Sequence, residues 1–274
     1  MPYLPARPDE AVTSWLQLAD HPDWERREAA ATMLSELLLT DFDTFYPKCL
    51  AWVHHPSENV RRAVVVGMKV AAKARVPAWG ENFLDLIDPL MSDRSLYVRK
   101  NLGPFAIGDG LLRYYPQLTL QRLATWAKQP DPQTRWNVAM AFSAAEGAKH
   151  VDVALPILSA LATDERRFVW RAVASAMRNL GRRRPEQVRP VLEEWLHDEQ
   201  RRRAAEVAMR YFEQAVPAET NSIQKRGRGQ LNSAAVENLL KTSEEIRRAH
   251  PGQVFDSAET LHQMREERLK DLEQ

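Results

Sequence analysis

The chain has 274 residues, 44% hydrophobic and 27% charged, with a formal net charge of +1; this composition excludes a disordered chain and allows one large domain or two ordinary ones with a substantial core. Ten glycines are few for this length, and with β-branched runs scarce the chain favours helix throughout. The start MPYLPARPDE has no apolar leader core, no run of about twenty apolar residues occurs, and the lone cysteine, Cys49, fits a reducing cytosol.

In chain order, the first recurring element is HPDWERREAA from His21, an acid-bearing turn followed by arginine and an alanine-rich helix. HPSENVRRAV from His55, SDRSLYVRKN from Ser92, PDPQTRWNVA from Pro130 and TDERRFVWRA from Thr163 repeat it, and a weaker copy begins at His197. Aligning Arg26, Arg61, Arg99, Arg135 and Arg171 gives spacings of 35, 38, 36 and 36 residues. A period in this range with two helices per unit predicts an all-α, HEAT-like α-solenoid, a right-handed superhelix of about six helix pairs. Pro22, Pro56, Pro130 and Pro132 fall at the turns inside the pairs, where a missing N–H costs least. Trp52, Trp126 and Trp195 fall at equivalent ends of first helices and read as buried staples between repeats. Arg135, with a counterpart in each unit, reads as a structural arginine that caps carbonyls or pairs with a turn acid.

After about Pro217 the pattern changes. The segment PAETNSIQKRGRGQLNS is polar and broken by Gly227 and Gly229, so the expected organisation is a repeat domain over 1–216, a linker over 217–232 and a helical C-terminal tail over 233–274. The tail reads as two short amphipathic helices, the second capped by Asp256 or Ser257. Leu261, Met264 and Leu272 on it form a candidate partner-binding face.

The stretch DERRFVWRAVASAMRNLGRRRP, residues 164–185, concentrates charge. Taken as a helix over 167–182, it places Arg167, Arg171, Arg178 and Arg182 within about 60° of one another, with Ser175 beside them. Val169, Val173, Ala176 and Leu180 gather on the opposite side as the buried face. From Asp164 to Arg210 there are twelve arginines against eight acids. Arginine's planar fork pairs bidentately with phosphate, and neutralising several phosphates gives sequence-independent affinity for a polyanion. The competing reading is a solvated face paired to Glu186, Glu193 and Glu194. Arg62, Lys69, Lys73, Lys100 and Arg113 extend the basic character along earlier second helices.

Residues 97–195 resemble a known family. YVRK at 97–100, IGDGLL at 107–112, TRW at 134–136 and FVWRAVASAMRNL…RRPEQV within 168–188 are similar to the HEAT-like repeat DNA alkylation repair glycosylases of bacteria, the AlkC/AlkD-like superfamily. That resemblance, covering roughly residues 20–212, implies a concave basic surface that cradles duplex DNA and excision of cationic N3- and N7-alkylated purines. In that chemistry a carboxylate steadies the oxocarbenium-like sugar and activates water.

Two departures follow from the same alignment. Lys100, with Asn101 beside it, stands where the family's catalytic aspartate is expected, and Ser175 stands where a tryptophan is expected. The nearest carboxylate is Asp109 in IGDGLL, read as a turn; it is either the catalytic candidate or a turn aspartate bonding backbone N–H groups. Gly103-Pro104 is expected to distort the helix that carries it. Trp136 and Trp170 are the candidate aromatic contacts, with core packing as the alternative.

The expected DNA-binding set is therefore Arg62, Lys69, Lys100, Arg113, Trp136, Arg167, Arg171, Ser175, Arg178 and Arg182. No metal-ligand spacing or phosphate-loop pattern occurs, so neither a metal nor a cofactor is expected. Duplex DNA is the expected partner, in a cytoplasmic, nucleoid-associated protein with no membrane contact. The alternative is a protein-interaction scaffold whose tail resembles the toxin-embracing segments of small bacterial antitoxins.

Overall fold

A computed structural model describes residues 8–214, with side-chain surroundings described for 11–210. The expected linker at 217–232 and tail, including Leu261, Met264 and Leu272, lie outside the described residues.

Six helix pairs make up the described residues. They are α1 (Pro8–Ala19) with α2 (Trp24–Thr40), α3 (Phe42–Trp52) with α4 (Glu58–Ala71), and α5 (Trp79–Ile87) with a broken second helix. That second helix consists of α6 (Leu96–Arg99), a π-helical segment Leu102–Leu111, and α7 (Leu112–Tyr114). The last three pairs are α8 (Pro116–Trp126) with α9 (Pro132–Ala141), α10 (Val151–Leu161) with α11 (Arg167–Gly181), and α12 (Pro185–Leu196) with α13 (Arg202–Gln214). The second helices pack on one another in succession, and the first helices meet more sparsely, so the second-helix layer is the inner one of the stack.

Each second helix starts the same way. Asp23, Ser57, Ser95 and Asp131 cap α2, α4, α6 and α9 with side-chain oxygens that accept backbone N–H bonds. Asp198 does the same before α13, accepting from Gln200 N and Arg201 N. At α11 the cap position is Arg166, and Asp164 accepts its backbone N–H instead.

In every repeat but the fifth, the fourth residue after the cap is the true repeat arginine. Arg27 donates to the carbonyls of His21 and Pro22, Arg61 to those of His55 and Pro56, Arg135 to that of Gln129 and Arg202 to that of Leu196. The alignment on Arg26 and Arg171 is corrected by one residue: the slot belongs to Arg27 in the first repeat and to Trp170 in the fifth. The double arginines at 26–27 hide the register in the sequence, because only the helix start distinguishes them. Arg135 reaches Asp164 at 2.8 Å and Arg61 reaches Asp93 at 2.7 Å, so in the second and fourth repeats this slot ties one turn to the next.

The repeat-end tryptophans are core. Trp52 is buried and stacks on Trp15 with ring centroids 4.0 Å apart, Trp126 donates its indole N–H to Asp88, and Trp195 is buried. Cys49 is likewise sealed in the core, and burial pushes its thiol up to about 12.

The segment IGDGLL is not a turn. Pro104 has no N–H to give to an α-helical ladder, and Ala106 N bonds instead to Asn101 O at 3.2 Å, five residues back. The wider coil is held because glycine lets α9 approach: a Cβ on Gly108 would lie 2.5 Å from Ala141 O, and one on Gly103 would lie 2.8 Å from Met140 Cβ. Leu102, Ala106, Ile107 and Leu111 are fully buried by this packing.

Candidate nucleic-acid interface

Counting from the caps puts all second helices in one register. The fifth residue after the cap is Glu28, Arg62, Lys100, Trp136, Arg171 and Arg203 in successive repeats. Arg62 is bonded to Glu28, so neighbours in this column do meet. Twelve residues after the cap the column holds Ser35, Lys69, Ile107, Ser143, Arg178 and Arg210. One helix face thus carries two cationic columns that are strongest in the fifth and sixth repeats.

On α11 the two faces are as the periodicity requires. Val169, Val173, Ala176 and Leu180 are buried, and Arg167, Arg171, Arg178 and Arg182 are exposed. Ser175 lies among the arginines and is half-buried. Arg167, Arg171 and Arg178 have no carboxylate within salt-bridge distance among the described residues, whereas Arg189 pairs with Glu193 at 3.7 Å. The cluster's other arginines are taken up structurally. Arg166 grips Asp164, Arg184 Nε donates to Ala148 O at 3.1 Å, and Arg201 pairs with Asp198. Arg203 and Arg210 on α13 are exposed and share the register of Arg171 and Arg178. They were missed as site residues because the offset between α11 and α13 is shorter than the other periods, and only the Asp198 cap reveals it.

The earlier repeats contribute less than their sequence suggested. The Arg62 side chain is only 11% exposed, paired with Glu28 and stacked over the Tyr97 ring at 4.9 Å. Lys69 lies over the Phe105 ring at 3.9 Å, and burial lowers its ammonium's pKa, with Lys73 and Arg113 acting in the same direction and Asp109 opposing. Neither is an open surface cation. Lys100 is exposed at the end of α6, and Trp136 and Trp170 are half-buried against the core.

Asp109 sits in the π-helical segment with its side chain 43% exposed and Oδ1 3.2 Å from Arg113 Nη2. It pairs with a guanidinium, not with turn N–H groups as expected of a turn aspartate. Arg113 Nε also lies 3.4 Å from Glu146, a carboxylate only 8% exposed that Lys149 holds at 3.0 Å. Ile107, twelve residues after its cap, is buried, and Asp109 two residues later is half-exposed. The site therefore offers one half-exposed carboxylate among cations and, in Arg167, Arg171 and Arg178, exposed arginines with no carboxylate within salt-bridge distance among the described residues. Among the described residues no group of acidic, histidine or cysteine side chains is placed to hold a metal ion, and no helix is long and apolar enough to cross a membrane.

Residues 102–212 match the family model described as DNA alkylation repair enzyme. The chain is 30% identical over 115 residues to the uncharacterized protein YhaZ of Bacillus subtilis (strain 168), a match covering 38% of this chain and 30% of that protein. The chain thus spans under a third of that curated relative's length. Among solved structures it is similar to smu.31 from Streptococcus mutans UA159, with a TM-score of 0.56 and 16% identity over 72% of this chain and 97% of that one. It is also similar to AlkD2 from Streptococcus mutans, with a TM-score of 0.54 and 15% identity over 73% of this chain and 96% of that one. At such identities these two show a shared fold. The resemblance read from the sequence therefore stands, on the family match from Leu102 onward and on the α-solenoid fold.

Proposed function

We propose that this protein binds duplex DNA on the inner layer of its solenoid, with the arginine row of α11, continued by Arg203 and Arg210 of α13, as the principal phosphate contact. The match to a DNA alkylation repair family and the AlkD-like fold support a DNA-binding role related to that repair. The observation that carries the finer reading is that, among the described residues, no carboxylate lies within salt-bridge distance of Arg167, Arg171 and Arg178, which stand exposed on one helix face while neighbouring arginines are paired. A guanidinium left in water with no carboxylate is free to exchange its counterion for a phosphate.

Anisotropy of a labelled undamaged duplex, titrated at several salt concentrations, tests it. Binding should weaken steeply between about 50 and 200 mM salt, and Arg171→Gln with Arg178→Gln should reduce the slope of log K on log salt by about 2. No binding at low salt, or binding indifferent to salt, overturns the proposal.

Base excision is the second reading, favoured by the half-exposed Asp109 carboxylate beside Arg113. A carboxylate so placed is able to stabilise a developing sugar cation. Lys100, in the position where the resemblance expects the acid, carries the wrong charge for that task. Duplex containing 7-methylguanine should yield abasic sites with wild type and not with Asp109→Asn. No release by wild type removes this reading and leaves DNA binding standing.

A further inference from the structure

We infer that the edge on which the second helices end is a second phosphate track, one that takes the backbone of the same duplex beyond the α11 row. This rests on the DNA-binding reading above. From the second repeat to the fifth the edge is built by short segments that follow the second helices, whereas after α2 the same edge carries Asp41 and Asp43. Lys73 and Arg75 follow α4, Arg113 follows the π-helical segment, Lys149 follows α9, and Arg182 to Arg184 follow α11. All of these side chains are exposed.

Side-chain contacts make these segments one continuous edge. The Arg75 guanidinium lies over the Tyr114 ring at 5.4 Å, joining the second repeat to the third. Arg113 Nε lies 3.4 Å from Glu146, joining the third to the fourth, and Arg184 Nε donates to Ala148 O, joining the fourth to the fifth. Within the segments 72–78, 112–115, 142–150 and 181–185 the only carboxylate is Glu146, which is buried and already held by Arg113 and Lys149.

The opposite edge, where the second helices begin, carries acids among its arginines. Five of its six turns carry an aspartate, namely Asp23, Asp93, Asp131, Asp164 and Asp198, and these cap backbone N–H groups or grip arginines. Cations at helix C-termini are favoured by the carbonyl dipoles. That accounts for their being tolerated there, and among the described residues the exposed Lys73, Arg75 and Arg183 have no carboxylate within salt-bridge distance.

Geometry selects a long polyanion. Packed helices lie about 8–10 Å apart, so the edge from Lys73 to Arg183 spans on the order of 30 Å, over which a duplex presents nearly twenty phosphate charges. The α11 row runs along its helix for roughly 20 Å and ends at Arg182, where it meets the edge. A small anion is able to satisfy one corner of this arrangement, and a duplex is able to follow both arms.

The full chain with a labelled duplex tests the inference through two variants, each first shown by thermal melting to be folded. Lys73→Gln, Arg75→Gln and Arg183→Gln together should lower the salt slope by about 3 and weaken binding without abolishing it, while the α11 double variant lowers the slope separately. In parallel, acylation of wild-type lysines read by mass spectrometry should show Lys73 and Lys149 protected by duplex. A wild-type slope in the edge variant, or unprotected Lys73 and Lys149 in wild type that binds duplex, overturns the second track and leaves the α11 row intact. Absence of duplex binding by wild type at any salt would instead fail the underlying reading.

Discussion

Asp164 anchors the start of the arginine helix, and its replacement gives a sharp test of how the turns are held. The carboxylate is 2% exposed and accepts from Arg135 Nη1 at 2.8 Å and from Arg166 Nε and Nη2 at 2.8 and 2.6 Å. It also accepts from the Arg166 backbone N–H at 3.0 Å. Asp164→Asn keeps the shape, removes the charge, and turns part of the acceptor into a donor facing guanidinium. Breaking a buried pair costs about 3–5 kcal/mol; because both arginines are partly exposed, about 2–4 kcal/mol is expected here. For a domain of roughly 200 residues this lowers Tm by about 4–16 °C at pH 7.

The same site fixes the pH dependence. The Arg166 hydrogen bonds, then those of Arg135, hold the Asp164 carboxyl far below its usual value of 3.8. A depressed carboxyl adds stability that is complete above the unfolded value and lost as pH falls toward the folded one. The gap in Tm between wild type and Asp164→Asn should therefore be constant near neutrality and narrow as pH drops below about 4. Circular dichroism melts across that range measure both. A Tm within about 1 °C of wild type at pH 7, or a gap indifferent to acid, would refute the role assigned to this carboxylate.

Two further outcomes follow from packing. Gly108→Ala should destabilise by about 1–3 kcal/mol, because the new methyl meets Ala141 O at 2.5 Å and Ala144 Cβ at 2.6 Å and neither is a flexible side-chain end; a urea midpoint at or above wild type would show that the π-helical segment does not need this approach. The Cys49 thiol, buried and pushed up to about 12, should ignore a disulfide-exchange reagent at pH 8 in the native protein and react fully in denaturant. Labelling of native protein at the rate of a free thiol would contradict its placement.

Much of this fold was legible without coordinates. Turn acids, alanine-rich runs and the proline positions reported six helix pairs, since caps and periodicity are local properties that neighbouring residues alone decide. The opposed faces of α11 were legible for the same reason: with the helix granted, Val169, Val173, Ala176 and Leu180 must leave Arg167, Arg171 and Arg178 on the other side. The distortion expected at Gly103-Pro104 was also local, although its form was not, and reading IGDGLL as a turn missed the wider coil that carries Asp109 outward.

What only the tertiary structure decided is which charges remain available. Arg135 and Arg171 look equivalent in the alignment, yet one is bound to Asp164 and the other faces water. Arg62 looked like a second-helix cation and is spent on Glu28, 34 residues away, and on Tyr97. Arg203 and Arg210 were counted in the arginine-rich stretch without a position, and they share the register of Arg171 and Arg178. Composition counts guanidiniums, whereas phosphate affinity depends on those without a carboxylate already beside them. That pairing is a distance set by how one repeat packs on the next, and no local pattern in the chain contains it.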